Sequence, residues 1–314
     1  MSGTSRKRRS GRRRRQELDS PVRRWDTGRC RSLLQTYCEL GASAGNYTVR
    51  VIRPASRADL PRIRELLTRA NEAPYDLAAV AEEKCFERGF EGEAIVSVDG
   101  DFDGIAVTCG KHLRLIAVDR ERRRRGVGRA LLRDAESRGA YVVAAEPGNY
   151  FTPGVLASDS TTLNFFAAHG YRETARTQNL EVELPAGGGA GAPLRSDQRE
   201  RVLDFIEGAF GPIWRFEASH GATIFSVEHE GKIAGFSTHD ANNRGLGFFG
   251  PTGVASDLRG RGLGRQLLLA SLADLHQHGY RKAIIPWTES IDFYRKACGA
   301  RLAHRFVILR RIAT

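Results

Sequence analysis

The stretch that decides the fold is Phe248-Phe249-Gly250-Pro251-Thr252-Gly253-Val254-Ala255-Ser256-Asp257-Leu258-Arg259-Gly260-Arg261-Gly262-Leu263-Gly264-Arg265-Gln266-Leu267-Leu268-Leu269. It predicts a short apolar strand, a turn of small and cationic residues, and an amphipathic helix. Glycines let the backbone N–H groups of such a turn approach a ligand closely. A helix N-terminus adds roughly +0.5 of an elementary charge and unpaired N–H donors. The stretch therefore indicates an anion site that suits a pyrophosphate.

The same pattern occurs earlier in the chain, in Leu115-Ile116-Ala117-Val118-Asp119-Arg120-Glu121-Arg122-Arg123-Arg124-Arg125-Gly126-Val127-Gly128-Arg129-Ala130-Leu131-Leu132. Both turns read Arg-x-x-Gly-x-Gly. Matching positions lie 136 residues apart: Val118 and Val254, Arg123 and Arg259, Gly126 and Gly262, Gly128 and Gly264. One such turn is weak evidence, but two in phase, each between a strand and a helix, indicate an internal repeat. The alternative is two unrelated surface turns.

Other glycine-rich phosphate loops fit less well. A Walker loop ends in Gly-Lys-Ser/Thr, which neither turn contains. A dinucleotide-binding fold has an acidic ribose ligand about 20 residues after its glycines. At that distance from Gly264 the chain reads Arg281-Lys282-Ala283-Ile284-Ile285-Pro286, which has no acidic residue.

The two turns resemble the coenzyme loop of the GNAT superfamily of acyl-CoA-dependent N-acyltransferases, which reads Arg/Gln-x-x-Gly-x-Gly/Ala after the fourth strand. The resemblance covers about residues 47 to 314. It implies an α/β (α+β) chain with two tandem GNAT folds, each a mixed, mostly antiparallel central sheet flanked by helices. It also implies acetyl-CoA as co-substrate, with no metal. The implied coenzyme-binding residues are Val254, Arg259, Gly260, Arg261, Gly262, Leu263, Gly264 and Arg265 in the second copy, and Val118, Arg123, Arg124, Arg125, Gly126, Val127, Gly128 and Arg129 in the first.

Length and composition agree with two domains. The chain has 314 residues, of which 41% are hydrophobic, and no run approaches the roughly 18 apolar residues of a membrane helix. We expect no membrane partner and a cytoplasmic protein. The expected organisation is a basic, disordered extension over 1–46, an N-terminal GNAT domain over 47–184, a Gly/Ala/Pro linker over 185–196, and a C-terminal GNAT domain over 197–314.

The cysteines indicate neither a disulfide framework nor a zinc site. They are odd in number, scattered and never spaced as Cys-x-x-Cys. They are Cys30, Cys38, Cys85, Cys109 and Cys298. Such thiols are typical of a reducing compartment.

Most of the net charge lies in the N-terminal extension. Residues 1–24 contain ten Lys/Arg and two Asp/Glu, which accounts for +8 of the chain's +12. This tail can bind nucleic acid or anionic lipid non-specifically. Binding to nucleic acid is expected only through this tail and is expected to be salt-sensitive. The alternative hypothesis is that the chain starts upstream of the natural start. Deletion of residues 1–44 would then leave folding and turnover unchanged.

Hydrophobic periodicity predicts the GNAT order of elements in both copies. In the first copy we expect strands over 47–52, 93–98, 105–109, 113–118, 141–145 and 171–184, with helices over 60–70, 81–88, from the turn to Gly139, and over 161–169. In the second copy we expect helices over 198–209, from Gly262 to Gly279, and over 290–297, with strands over 222–228, 232–237, 246–254, 283–287 and 301–310. Residues 147–154 are expected to form a loop with two aromatic residues. Residues 211–217 fall where GNAT proteins place acceptor-binding helices.

The GNAT pattern places a general acid, a tyrosine, on the helix after the fifth strand, and Tyr294 occupies that position. The first copy has Phe166 there, which has no proton to give. We therefore expect the second domain to be catalytic, and the first to be a partner, an acceptor wall or a residual coenzyme binder. A backbone N–H near Gly253 or Val254 is the expected oxyanion donor. The alternative for Tyr294 is an aromatic residue that only packs in its helix.

The sequence does not single out a general base. The candidates are Glu217, His220, His239, Asp240 and Glu289, and for each of them a surface or capping role is the alternative. An acceptor amine with a pKa near 8 needs only a weak base or a water chain.

Several motifs resemble those of tandem GNAT proteins that acetylate glucosamine or glucosaminides. They are Gly250-Pro251-Thr252-Gly253-Val254, Trp287-Thr288, Asp292-Phe293-Tyr294, and Pro147-Gly148-Asn149-Tyr150-Phe151 of the first copy. The implied reaction transfers an acetyl group to a small-molecule amine, with an amino sugar as the expected acceptor. The alternatives are another small-molecule amine, as in mycothiol synthase, a protein amine, or a non-catalytic acyl-CoA sensor.

Overall fold

The computed structural model describes residues 50–184 and 197–312, which we call the first half and the second half. These residues belong to one compact unit. The predicted N-terminal extension, the predicted linker and residues 47–49 of the predicted first strand lie outside the described residues. No helix in the two described ranges is long and apolar enough to cross a membrane.

The first half contains strands and helices in the predicted order. Its strands are β1 (Ile52–Pro54), β2 (Ile95–Asp99), β3 (Gly104–Cys109), β4 (His112–Val118), β5 (Val142–Val143), β6 (Val155–Leu156) and β7 (Tyr171–Glu183). Its helices are α1 (Leu60–Ala70), α2 (Ala81–Phe86), α3 (Val127–Ser137) and α4 (Ser160–Ala168).

The second half repeats this arrangement. It contains α5 (Arg199–Phe210), α6 (Pro212–His220), β8 (Ile224–His229), β9 (Lys232–His239), β10 (Phe249–Val254), α7 (Leu263–Gln277), β11 (Lys282–Ile285), α8 (Ile291–Cys298) and β12 (Arg301–Arg311).

The helices form where apolar residues recur at helical spacing. In α1, Ile63, Leu66 and Leu67 are fully buried, and Pro61 lies in the first turn, where a missing N–H costs nothing. In α7, the predicted apolar stripe is buried, with Leu268 and Leu275 inaccessible to solvent. Both predicted helices are confirmed, since each pattern has one face to bury.

Two strands of the first half differ from the prediction. The first strand was predicted over 47–52, but β1 begins only at Ile52 and ends at Pro54, so the described residues Arg50 and Val51 precede it. Pro54 is tolerated there because β1 is the outer strand of its sheet and needs no N–H at its free edge. The fifth strand was predicted over 141–145 but β5 contains only Val142–Val143. Ala144 and Ala145 have φ of 51° and 50°, which turns the chain away from the sheet.

Two further differences concern short segments. The predicted strand over 246–254 begins at Phe249, because Gly247 has φ 74° and breaks the extended conformation before it. The loop over 147–154 is present. Directly after it lies the two-residue strand β6, which was not predicted because it pairs with β12, a strand at the far end of the chain.

Two sheets organise the described residues. One has the order β1-β2-β3-β4-β5-β12-β7-β11, with β6 also beside β12, and the other has the order β10-β9-β8. Within the described ranges, the parallel pairings are β4 with β5 and the bridge between Phe248 and Ile284. The predicted fold class, mixed and mostly antiparallel sheets flanked by helices, is confirmed.

The larger sheet crosses from one half to the other. The last strand of the chain, β12, lies between β5 and β7 of the first half, and the other edge of β7 pairs with β11 of the second half. The cores follow this exchange. Leu180 and Val182 of β7 pack in the second-half core with Leu268, while Val307 and Leu309 of β12 pack in the first-half core. Each half therefore completes the sheet and core of the other.

Candidate active site

The two Arg-x-x-Gly-x-Gly turns have the same backbone conformation. Gly126 and Gly262, which precede α3 and α7, have φ of 83° and 82°. Two positions earlier, Arg124 and Gly260 have φ of 63° and 81°. The first arginine of each turn closes it in the same way, since Arg123 and Arg259 donate from Nε to the last carbonyl of the preceding strand at 3.3 and 3.4 Å.

Both turns are exposed and present a row of unused backbone N–H groups. No described residue accepts a hydrogen bond from the backbone N–H groups of residues 124–129 or 260–265. The first N–H groups of a helix have no partner within the helix, and here they continue the row of the turn. A row of N–H groups at a helix N-terminus is an anion site, and its extent fits a diphosphate.

The arginines of the turns divide into two groups. Arg123 is held in place, because its guanidinium also pairs with Glu72 at 2.9 Å and donates to the Ala70 carbonyl at 3.2 Å. The other group is exposed and has no carboxylate partner within the described ranges. It consists of Arg124, Arg125, Arg129, Arg261, Arg265 and Arg259, whose Nε also closes its own turn. These side chains are available to phosphate groups, whereas Arg123 shapes the turn. Val127 differs again, because its side chain is buried in the core and only its N–H faces outward.

The strands that enter the turns separate from their neighbours. In the first half, β4 and β5 pair only at His112–Leu113, and β4 then continues to Val118 with β3 on its other edge. In the second half, β10 and β11 meet at the single bridge between Phe248 and Ile284. Each half therefore has an opening beside the strand that leads into its turn.

The opening in the second half exposes one edge of β10. The Ala255 N–H donates to the Ala234 carbonyl at 2.9 Å, toward the neighbouring β9. Because successive N–H groups of a strand point to opposite edges, the Val254 N–H points toward the opening and the Gly253 N–H toward β9. Of the two predicted oxyanion donors, the geometry favours Val254.

The opening in the first half is a cavity of about 770 Å³. The turn, β4 and the aromatic residues Phe165 and Phe166 of α4 line it, together with Phe306 of β12. Its volume is in the range of roughly 300–1,000 Å³ that is typical of small-molecule sites. The first half thus keeps space beside its turn.

An aromatic residue covers the second glycine of each turn. A Cβ on Gly128 would lie 3.5 Å from Phe165, and one on Gly264 would lie 3.6 Å from Phe293. The residues that follow these two rings are therefore equivalent in position. They are Phe166 in the first half and Tyr294 in the second.

Tyr294 is 7% exposed and lies on α8. Its ring contacts those of Phe249 and Phe293 edge to face, with centroids 6.2 and 4.9 Å apart. Burial, with a smaller contribution from the nearby Cys298, raises the pKa of Tyr294 well above its usual value. The phenol is therefore protonated at neutral pH, as a general acid must be before it acts.

Among the candidate bases, His239 and Asp240 lie in an ion-pair network. The Nε2 of His239 is 2.8 Å from a carboxylate oxygen of Asp274, and Tyr280 donates to Asp240 at 2.8 Å. Burial opposes the His239 charge, but the hydrogen bonds with both carboxylates raise its pKa. His239 pairs with Phe249, at the opposite end of β10 from Val254 and about 17 Å along the strand.

Two other candidate bases, Glu289 and His220, have no polar partners among the described residues that would position them as bases. Glu289 is exposed. His220 contacts the ring of Phe216, with centroids 4.6 Å apart. Neither residue is held in a polar arrangement by the described residues.

Glu217 differs from the other candidates. It lies on α6 and is partly buried, and no described residue donates a hydrogen bond to its carboxylate. Burial raises the pKa of Glu217 to about 7, although the charge of Lys84 acts in the opposite direction. A carboxylate with such a pKa can accept a proton near neutral pH.

A buried polar network joins the two halves beside Glu217. Lys84 is fully buried and donates to Glu83 at 2.7 Å, to Asn149 at 2.9 Å, and to Asn242 of the second half. Burial lowers the pKa of Lys84 to about 8, and Glu83 opposes this. Glu83 also accepts the N–H groups of Asn243 and Arg244 at 2.8 and 2.9 Å, so both of its oxygens are used.

The same network holds the aromatic loop of the first half. Asn242 donates to the Tyr150 carbonyl at 3.0 Å and Asn243 to the Phe151 carbonyl at 3.1 Å. The ring of Tyr150 contacts that of Trp287, which follows β11, with centroids 5.1 Å apart. The loop therefore lies at the second-half opening.

Sequence reasoning did not find this interface. Lys84 and Glu83 lie in a short helix with ordinary charged residues around them, and their partners are separated from them by 65 to 161 positions. The one usable signal was the pair of aromatic residues in the loop over 147–154.

Comparisons with known proteins agree with the repeat. Residues 194–300 match the acetyltransferase (GNAT) family model, and residues 76–173 match an acetyltransferase (GNAT) domain model. Together the two matches cover more than half of the chain. A comparison with curated proteins found no match.

Solved structures share the fold of the chain at low sequence identity. A GCN5-related N-acetyltransferase from Sphaerobacter thermophilus is 20% identical, with a TM-score of 0.60, over 84% of this chain and 97% of that one. A tandem GNAT protein from the clavulanic acid biosynthesis pathway is 17% identical, with a TM-score of 0.60, over 84% and 99%.

A third structure is part of a larger protein. It is the GCN5-related glucosamine N-acetyltransferase region of a fungal multi-domain GH3 beta-N-acetylglucosaminidase, 17% identical, with a TM-score of 0.64. The match covers 83% of this chain and 38% of that one. With both turns, both family matches and the shared fold established, the chain belongs to the GNAT acetyltransferase family, as an acyltransferase with two GNAT domains in tandem.

Proposed function

We propose that this protein transfers the acetyl group of acetyl-CoA directly to the primary amine of a small molecule, and that the acceptor is an amino sugar such as glucosamine. The observation that carries the proposal is the row of unused N–H groups at residues 260–265, beside the open edge of β10. This arrangement suits the diphosphate of a coenzyme whose thioester lies along the strand.

The second half has groups for three demands of the reaction: coenzyme binding, oxyanion stabilisation and protonation of the leaving thiolate. The exposed side chains of Arg261 and Arg265 stand beside the N–H row and add positive charge for the phosphates. The Val254 N–H can donate to the thioester oxygen as negative charge develops on it. Tyr294, protonated at neutral pH, can give its proton to the departing thiolate.

Two features support an amino sugar as the acceptor. Trp287 is 37% exposed and presents an aromatic surface at the second-half opening, where the buried ring of Tyr150 supports it, and such a surface suits the apolar C–H face of a sugar ring. The fungal structure with the same fold is described as a glucosamine N-acetyltransferase region. We also propose a cytoplasmic location, because Cys85, Cys109 and Cys298 are free thiols.

Release of free CoA from acetyl-CoA, measured with a panel of amines, tests the proposal. We expect turnover with glucosamine and none with N-acetylglucosamine, which has no free amine. Turnover with lysine-containing peptides alone would move the assignment to protein amines. Tight CoA binding without turnover on any amine would instead indicate an acyl-CoA sensor.

A further inference from the structure

The helix that carries Glu217 packs directly on the first half. A Cβ on Gly148 would lie 2.7 Å from the ring of Phe216 and 3.9 Å from the Cβ of Glu217. Gly148 also has φ 80°, so this close approach depends on glycine. The ring of Phe216 further contacts Phe90, with centroids 5.9 Å apart. The aromatic loop of the first half and α6 of the second half therefore form one wall.

The same helix also borders the second-half opening. The helix α6 contacts β10, and Phe210, the last residue of α5, lies against the same strand, since a Cβ on Gly253 would lie 2.5 Å from its ring. On the other side, Tyr150 contacts Trp287 at the end of β11. Glu217 thus lies on a helix between β10 and the Tyr150–Trp287 pair, where an acceptor would approach the open edge of β10.

Nothing in the described fold uses the carboxylate of Glu217. The nearest cation along the helix, Arg215, is occupied by other acids, and Lys84 is bound to its own partners. The acids that surround Arg215 are Glu200, Asp204 and Glu207. A partly buried carboxylate without a structural partner costs free energy, so a role toward a ligand explains its presence.

We propose that Glu217 is the general base of the second-half reaction and that Tyr150 of the first half completes the acceptor pocket. This inference rests on the proposed function. An acceptor ammonium loses one proton to Glu217, and its nitrogen then forms the C–N bond as the thioester C–S bond breaks. The thiolate takes the Tyr294 proton, the second nitrogen proton passes through solvent to the Tyr294 phenolate, and Glu217 then releases its proton to solvent.

Two titratable groups face Glu217. Lys84 approaches from α2, and its positive charge favours the carboxylate form. Tyr150 approaches from the aromatic loop, and Glu217 contributes, after burial, to the raised pKa of its phenol. Since that phenol is uncharged at neutral pH, the activity should rise with a single ionisation near pH 7.

The test compares Glu217→Gln with the parent chain and with Glu228→Gln, an exposed carboxylate on β8. At pH 7 we expect Glu217→Gln to lower kcat/KM for glucosamine by about 10²- to 10⁴-fold, with the Kd for CoA unchanged. The loss should shrink above pH 9, where the amine is already deprotonated. Glu228→Gln should match the parent chain, and Tyr150→Ala should raise KM for the amine but not for acetyl-CoA.

Calorimetry measures whether glucosamine binds to the CoA-loaded chain. Together with turnover, this measurement distinguishes failure of the inference about Glu217 and Tyr150 from failure of the proposed function. Turnover with an unchanged pH profile in Glu217→Gln overturns the assignment of the base and leaves the function standing. If the parent chain binds glucosamine without turnover, and Tyr150→Ala weakens that binding, the proposed function is overturned. The inference that Tyr150 completes the acceptor pocket then stands. Absence of both binding and turnover overturns both.

A stability measurement gives an independent result. The folded-state pKa of Glu217 is about 7, above its usual value of 4.5, so its contribution to stability is complete below pH 4.5 and is lost as pH rises through 7. The melting temperature of the parent chain should therefore fall relative to that of Glu217→Gln between pH 5 and pH 8. Parallel curves for the two chains would show that Glu217 does not titrate in this range.

Discussion

At the scale of single residues, the two halves differ at the position where a general acid is required. Phe166 is fully buried and contacts the ring of Tyr171, with centroids 5.2 Å apart, whereas Tyr294 carries a hydroxyl at the equivalent place. The phenol of Tyr294 can protonate a thiolate, whereas the phenyl ring of Phe166 has no proton to give and can only pack.

We expect Tyr294→Phe to lower kcat by about 10²-fold or more, because a general acid typically contributes about 10² to 10⁴ to the rate. Coenzyme affinity should change little, since the ring and its contacts with Phe249 and Phe293 remain. Steady-state kinetics and CoA titration of the same preparation measure both quantities.

The matched control is Tyr141→Phe, which removes a hydroxyl from a residue that is 44% exposed and outside the proposed site. It should behave like the parent chain. Equal turnover in Tyr294→Phe and Tyr141→Phe would show that the buried phenol only packs.

At the scale of elements, the same turn is built twice from different residues. Gly260 reaches φ 81° without strain, whereas Arg124 holds φ 63° at the matching place. A non-glycine residue in this left-handed region costs roughly 1–2 kcal/mol, so the first turn needs support from its surroundings. Arg123 provides this support through its hydrogen bonds to the Val118 carbonyl and to the Glu72 carboxylate.

Gly126→Ala and Gly262→Ala form a matched pair that shows which turn serves catalysis. A Cβ at either position meets nothing within 4 Å, so each change acts only through a φ of about 80°. We expect Gly262→Ala to raise KM for acetyl-CoA about tenfold, because a backbone strain of roughly 1–2 kcal/mol displaces the N–H row. Gly126→Ala should leave KM and kcat within twofold.

Kinetics of the two variants, with melting curves to confirm equal folding, check this expectation. The reverse result, a loss of activity only in Gly126→Ala, would place the reaction in the first half beside the 770 Å³ cavity.

At the scale of the whole molecule, the exchange of strands makes the two halves depend on each other. Without β12, β7 has no neighbour on its first-half side, and without β7 no described strand joins β11 to β12. In a separated first half, the edges of β7 would be unpaired and its core residues Leu180 and Val182 would become exposed, which would favour aggregation.

We therefore expect residues 50–184 and 197–314, produced separately, to be unstable or insoluble, and their co-production to restore a soluble complex. Size-exclusion chromatography and circular dichroism measure this. The full chain with a protease site within 185–196 is the control, since cutting there leaves every described strand pairing intact. Two cooperatively folded, monomeric halves would contradict the expectation.

Much of the fold follows from local patterns. The spacing of leucines in α1 and α7, the turn between β2 and β3, and the glycines before α3 and α7 each act over a few residues, so their elements were predicted within about two positions. The length of β5 was not predicted, because Ala144 and Ala145 adopt positive φ, and Ala144 lines the first-half cavity. Alanine itself gives no sign of that conformation.

By itself, the sequence determined the repeat, the two anion-binding turns and the fold of each copy, because these depend on residue spacing and backbone freedom along a continuous segment. Only the tertiary structure decided that β12 lies between β5 and β7, and that Lys84, Tyr150 and Glu217 come together at the boundary of the halves. The reason is physical. Strand neighbours and burial are set by competition among distant segments for the same edges and the same core.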